Sequence, residues 1–100
     1  MLLTNSELDK LNVSLVAMVA ERRRARGTKL NLPEAMALIQ DHILEGARDG
    51  KTVAHLQDSA AKVLRRSDVL DGVQALVGRI TVQATFADGL HTVSVADPIK

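Results

Sequence analysis

One hundred residues with 46% hydrophobic side chains but a single aromatic, Phe86, suit one small domain whose core must be made of Leu, Val, Ile, Ala and Met. So few rings exclude an aromatic stacking platform for bases or sugars, and the absence of Cys excludes disulfides, zinc–thiolate sites, iron–sulfur clusters and thiol nucleophiles. Thirteen basic against twelve acidic residues leave a net charge of +1, too balanced to imply a polyanionic partner from charge alone.

The chain opens without a basic leader or a long apolar stretch. Its longest uncharged run, Leu11 to Ala20, contains Asn12 and Ser14 and falls well short of the roughly 20 apolar residues that span a bilayer. A soluble cytoplasmic protein with no membrane partner is expected. Thr4-Asn5-Ser6-Glu7 is a capping-box pattern, after which Leu8, Leu11, Leu15, Met18 and Val19 recur at helical spacing. Arg22, Arg23, Arg24 and Arg26 crowd the helix end, where cations complement the dipole, and Gly27 suits the left-handed residue that follows. These signals predict a first helix over about residues 5–26.

Asn31-Leu32-Pro33-Glu34 restarts the pattern with a cap, a proline in the first turn and a second capping box. Met36, Ile39 and Ile43 form one row of the second helix, with Ala35, Leu38 and His42 beside it. Gly46 lies inside this helix at a cost of about 1 kcal/mol relative to Ala, which suggests close approach of a neighbouring backbone. Asp49-Gly50 stops it. Thr52 caps a third helix carrying Val53, Leu56, Ala60, Val63 and Leu64. Ser67-Asp68 starts a fourth, with Val69, Leu70, Val73, Leu76 and Val77, weakened by Gly72 and ended by Gly78.

The period then changes to two. Ile80, Val82, Ala84 and Phe86 alternate with polar residues, Ala87-Asp88-Gly89 is a turn signal, and Leu90 to Val95 forms a second strand with Val93 and Val95 on one face. A lone hairpin is marginal in water, so it must pack on the helices or join strands of another chain. The expected architecture is α+β: about four helices over residues 5–78, then an antiparallel hairpin over about 80–95, in one domain spanning 1–100.

No catalytic set stands out. His42, His55 and His91 are not paired at helical spacing, and three ordinary surface or edge histidines is the simpler reading. Asp41, Glu45 and Asp49 form an acidic stripe along the second helix, best read as a solvated face. The glycines match no phosphate-binding loop, and no Ser or Thr sits in a nucleophile elbow. The Arg22–Arg26 run is the strongest charge feature. It fits a solvated helix end, an anion site, or a contact with an acidic partner chain.

Several strings are more specific. Arg22-Arg23-Arg24-Ala25-Arg26-Gly27-Thr28-Lys29-Leu30-Asn31-Leu32-Pro33-Glu34-Ala35 resembles the first helix end and linker of the urease gamma subunit, the small chain of bacterial urease. Glu45-Gly46-Ala47-Arg48-Asp49-Gly50-Lys51-Thr52-Val53-Ala54 resembles that family's EGARDGK segment, and Val82-Gln83-Ala84-Thr85-Phe86-Ala87-Asp88-Gly89, Val93-Ser94-Val95 and Pro98-Ile99 resemble its close. The chain departs from the pattern at Leu32, Gln74, Ala87 and Ala96-Asp97. The resemblance implies a non-catalytic subunit of a complex that hydrolyses urea to ammonia and carbamate. It implies that the two nickel ions, their ligands and the catalytic histidine belong to the alpha subunit, so this chain would hold no catalytic residue, metal or cofactor. It further implies alpha and beta partners in a trimer of three-chain units, in an unfused form ending at Lys100. A stand-alone module binding nucleic acid or another anion through Arg22–Arg26 is the competing expectation, and a gamma-like chain that no longer assembles is a third.

Overall fold

The computed structural model describes residues 3–100, in the order α1 (Asn5–Ala25), α2 (Leu32–Arg48), α3 (Val53–Ala60), a 3-10 turn (Arg66–Asp68), α4 (Val73–Leu76), β1 (Arg79–Phe86) and β2 (Gly89–Ala96). Both long helices start as their sequences dictate. The Thr4 hydroxyl accepts from the Glu7 backbone N–H at 3.1 Å while Glu7 accepts from the Thr4 N–H at 3.0 Å, and Asn31 and Glu34 repeat the exchange at 3.0 and 2.9 Å. Gly27 and Gly50, with φ of +81° and +88°, take the left-handed conformation after α1 and α2 that a side chain would resist.

The α+β architecture follows from how these elements cover one another. α2 lies at the centre, touching α1, β1, α3 and α4. Its Ala35, Leu38, Ile39, Ile43 and Ala47 are buried, as are Leu30, Leu56 and Leu64 from neighbouring segments. The hairpin pairs Ile80 with Val95, Val82 with Val93 and Ala84 with His91, and it turns through Ala87 and Asp88. This register puts Ile80, Val82, Ala84, Phe86, Val93 and Val95 on the helix side, all buried, and leaves Thr81, Gln83, Thr85 and Thr92 on the other. Among the described residues the sheet has two strands, and the helices supply the cover that a free hairpin lacks.

Three expectations need correction. α3 ends at Ala60, so Val63 and Leu64 lie in the loop beyond it, although Leu64 is still buried. The fourth helix does not start at Ser67. There the chain makes a 3-10 turn, with the Arg65 N–H donating to the Asp68 carboxylate at 2.8 Å, and Val69 then bridges Leu30. The Leu30 N–H donates to the Asp68 carbonyl and the Leu70 N–H to the Leu30 carbonyl, both at 2.9 Å, so this backbone is spent across the fold and not along a helix. Gly72 stands before α4 at φ +88°, not inside it. Finally, the group crowding Gly46 is a side chain: a Cβ there would strike Leu56 Cδ2, not a backbone.

The C-terminal segment closes the structure over the loop that carries α4. The Asp97 N–H donates to the Gly78 carbonyl at 2.8 Å, Gln74 Nε2 to the Ile99 carbonyl at 3.1 Å, and the Arg66 N–H to the Lys100 carbonyl at 3.0 Å. Pro98 and Ile99 are buried beneath these bonds.

Candidate functional site

Two of the three histidines hold separate hydrogen-bond partners, and the third, His55, lies near His42. His42 on α2 shares a 2.7 Å hydrogen bond with the Ser59 hydroxyl on α3, where Ser59 also reaches the Leu56 carbonyl. Burial, then the neighbouring His55, holds the His42 imidazole below its usual pKa, while Asp41 pulls weakly the other way. His91 on β2 bonds Asp88 in the hairpin turn at 2.8 Å and meets the Phe86 ring edge-on at 5.6 Å. Among the described residues, no three His, Asp or Glu side chains converge as metal ligands. The acidic stripe is likewise divided. Asp41 accepts from the Ser14 hydroxyl at 2.6 Å, tying α2 to α1, while Glu45 and Asp49 face solvent.

The arginine run splits in two. Arg23 pairs with Glu34, and Arg24 lies 3.6 Å from Glu21 and 3.9 Å from Asp68. Glu34 is 6% exposed, the one buried charged residue among those described. Burial pushes its carboxyl up, but the Asn31 N–H and the Arg23 guanidinium outweigh that and hold it below the usual carboxylate range. Arg22 and Arg26 are exposed and make no ion pair among the described residues.

Sequence reasoning missed the largest feature. The apolar row of α1 does not face the core. Ala17 and Ala20 do, with Val13 packed beside them, because small side chains let α1 approach α2 closely. Leu8, Leu11, Leu15, Met18 and Val19 point away from the core, and Leu11, Leu15 and Met18 are more than half exposed, at 55%, 57% and 58%. A contiguous apolar face of this kind marks an interaction surface more often than a scattered exposed Leu does. The signal was in the sequence: alanines occupied the opposite side of the same helix, and both sides could not be core.

The segments 45–54 and 84–89 are far apart in sequence but meet in space. A recess of about 410 Å³ is walled by Lys51, Thr52 and Val53 on one side and Phe86, Ala87 and His91 on the other. A neighbouring one of about 350 Å³ joins Ala47, Arg48 and Gly50 to Thr85, Phe86 and Ala87. The family model described as urease, gamma subunit, matches residues 1–99. The chain belongs to the urease gamma subunit family. In this gamma chain the Glu45–Lys51 string forms the end of α2 and its left-handed stop at Gly50, and Ala84–Gly89 forms the end of β1 and the hairpin turn. The most recognisable strings are thus the joints that bring the hairpin against the helices. Among the described residues of this gamma chain, no helix is long and apolar enough to cross a membrane.

Proposed function

We propose that this chain is a structural subunit of urease, supporting the nickel-dependent hydrolysis of urea to ammonia and carbamate by an alpha subunit, in a cytoplasmic trimer of three-chain units that each hold an alpha, a beta and a gamma chain. The observation that carries the proposal is the full-length match to the gamma family. The open apolar face of α1 supports it, since such a face needs a partner. Nickel does not fit the residues here: His42 and His91 are bonded to Ser59 and Asp88, and no third ligand joins any of the histidines among the described residues. On this reading the metal, its ligands and the reacting groups belong to the alpha chain, and this chain contributes shape and contact. The outward edge of the hairpin and the exposed Arg22 and Arg26 are further places where another chain could dock.

Co-expression with urease alpha and beta chains, read by native mass, tests the reading. The expected result is a complex containing all three chains, with no urea hydrolysis by this chain alone. A chain that emerges free of both partners, or that hydrolyses urea by itself, overturns it. The competing reading, an anion-binding module on Arg22–Arg26, is left with fewer free cations than its sequence advertised, because Arg23 and Arg24 lie against carboxylates of their own chain.

A further inference from the structure

The outward side of α1 carries a seam more regular than a general apolar face. Leu8, Leu11, Leu15 and Met18 follow one another at steps of three, four and three residues, the a/d spacing of a coiled coil. The same spacing continues to Thr4 before them and Arg22 after them. The stretch from Leu11 to Ala20 contains no charge, so closing a partner over it would bury none. The helix is already held on its far side by Ala17 and Ala20, which means that the seam is presented ready-made and no helix has to be ordered on binding.

We infer that, in the free chain, a second copy of the same chain covers this seam as an antiparallel, two-fold pair of α1 helices. Register decides for this arrangement. An antiparallel pair sets a positions against d positions, so Leu8 of one copy meets Met18 of the other and Leu11 meets Leu15, and one two-fold axis crossing the seam midway between Leu11 and Leu15 satisfies all four contacts at once. Charge decides for it as well. The antiparallel pair places Arg22 opposite Thr4, one turn from Glu7, whereas a parallel pair would stack Arg22 on Arg22. The helix dipoles also favour the antiparallel sense. Complete burial of Leu8, Leu11, Leu15, Met18 and Val19 in both copies would remove at most roughly 950 Å², just under the ~1,200 Å² at which stable interfaces begin. The flanking Asn12 and Ser14 must therefore close the rim, and the pair is expected to be concentration-dependent. The pairing goes beyond the subunit reading, because it concerns the chain with no alpha or beta chain present.

The experiment uses the purified full chain alone. Sedimentation velocity across a concentration series should show the mass rising from 10.8 kDa to twice that value. Leu11→Glu should return it to a single copy with an unchanged circular dichroism spectrum, and the milder Leu15→Ala should weaken the pair in the same direction. The chain has no Cys, so orientation can be read by cross-linking. Leu8→Cys and Met18→Cys chains, mixed and oxidised with glutathione disulfide, should join to each other, while each chain alone stays uncoupled. A single-copy mass throughout the series, a Leu11→Glu chain that still pairs, or Leu8→Cys chains that couple to themselves would each overturn the proposal.

Discussion

Glu34 joins two kinds of structure through one carboxylate. One oxygen accepts from the Asn31 N–H at the start of α2, and the other accepts from Arg23 at the end of α1. Glu34→Ala should therefore lose about 1–3 kcal/mol in urea denaturation, and Glu34→Gln less, because an amide oxygen can still serve the cap. The carboxyl is held below its usual pKa of 4.5, so its stabilising share is complete above that value and disappears as pH falls through the lowered one. Glu34→Gln should accordingly flatten the acid side of the stability profile. The cap could be read from Asn31-Leu32-Pro33-Glu34. The Arg23 partner could not, since it depends on how α1 crosses α2. At Gly46 the competing terms have opposite signs. Alanine would gain about 1 kcal/mol of helix propensity but would press on the Cδ2 end of Leu56, which is 1% exposed and would have to shift within the core. Net destabilisation of about 1–2 kcal/mol is expected for Gly46→Ala, with part of it recovered when Leu56→Val is added; a more stable single variant would show that Leu56 does give way.

At the level of elements, the α2–α3 contact carries a titrating group. His42 faces Ser59 and His55 from α3 and Asp41 from its own helix. Its lowered pKa means that the unfolded chain binds the proton more tightly. Stability from this group is therefore complete above the ordinary value of 6.5 and declines as pH drops below it. Equilibrium unfolding between pH 7.5 and pH 5.5 should show that decline, and His42→Gln should reduce it; an unchanged slope would remove His42 from the account. Element boundaries were legible wherever a cap or a left-handed glycine marked them, as at Thr4, Gly27, Asn31, Gly50 and Thr52. They were illegible between Ser67 and Gly72. There the apolar pattern fits a helix, yet the backbone pairs with Leu30, a choice made by a segment nearly forty residues away.

At the scale of the whole molecule, the arginine run has an inward and an outward half. Arg23→Glu would set a carboxylate against the buried Glu34 and should damage the fold itself, lowering stability by about 3 kcal/mol or more. Arg22→Glu has no intrachain ion pair to lose among the described residues and should leave stability within about 0.5 kcal/mol. Arg26→Glu also removes a cation that favours the buried Glu34 carboxylate and should cost somewhat more. If the run meets acidic surface on a neighbouring urease chain, the outward pair alone should weaken co-purification at low salt, and the loss should grow less visible as salt screens the contact. Equal recovery of wild-type and Arg22→Glu/Arg26→Glu complexes would mark this half of the run as a solvated helix end.

The periods, the caps, the turn and the family are all legible before folding, because each is written in residues that are neighbours along the chain. Alternation from Ile80 to Phe86 can only be a strand with one buried face, and the strings at 45–54 and 82–89 need no coordinates to be recognised. Only the tertiary structure decided which side of α1 is the inside. A helix with alanines on one face and leucines on the other offers both for burial, and close approach to α2 selects the small residues, leaving the large ones on the outward face. The same packing turned Arg23 toward Glu34 and left Arg22 and Arg26 exposed without an ion pair among the described residues, a division that four arginines within five positions cannot show on a page.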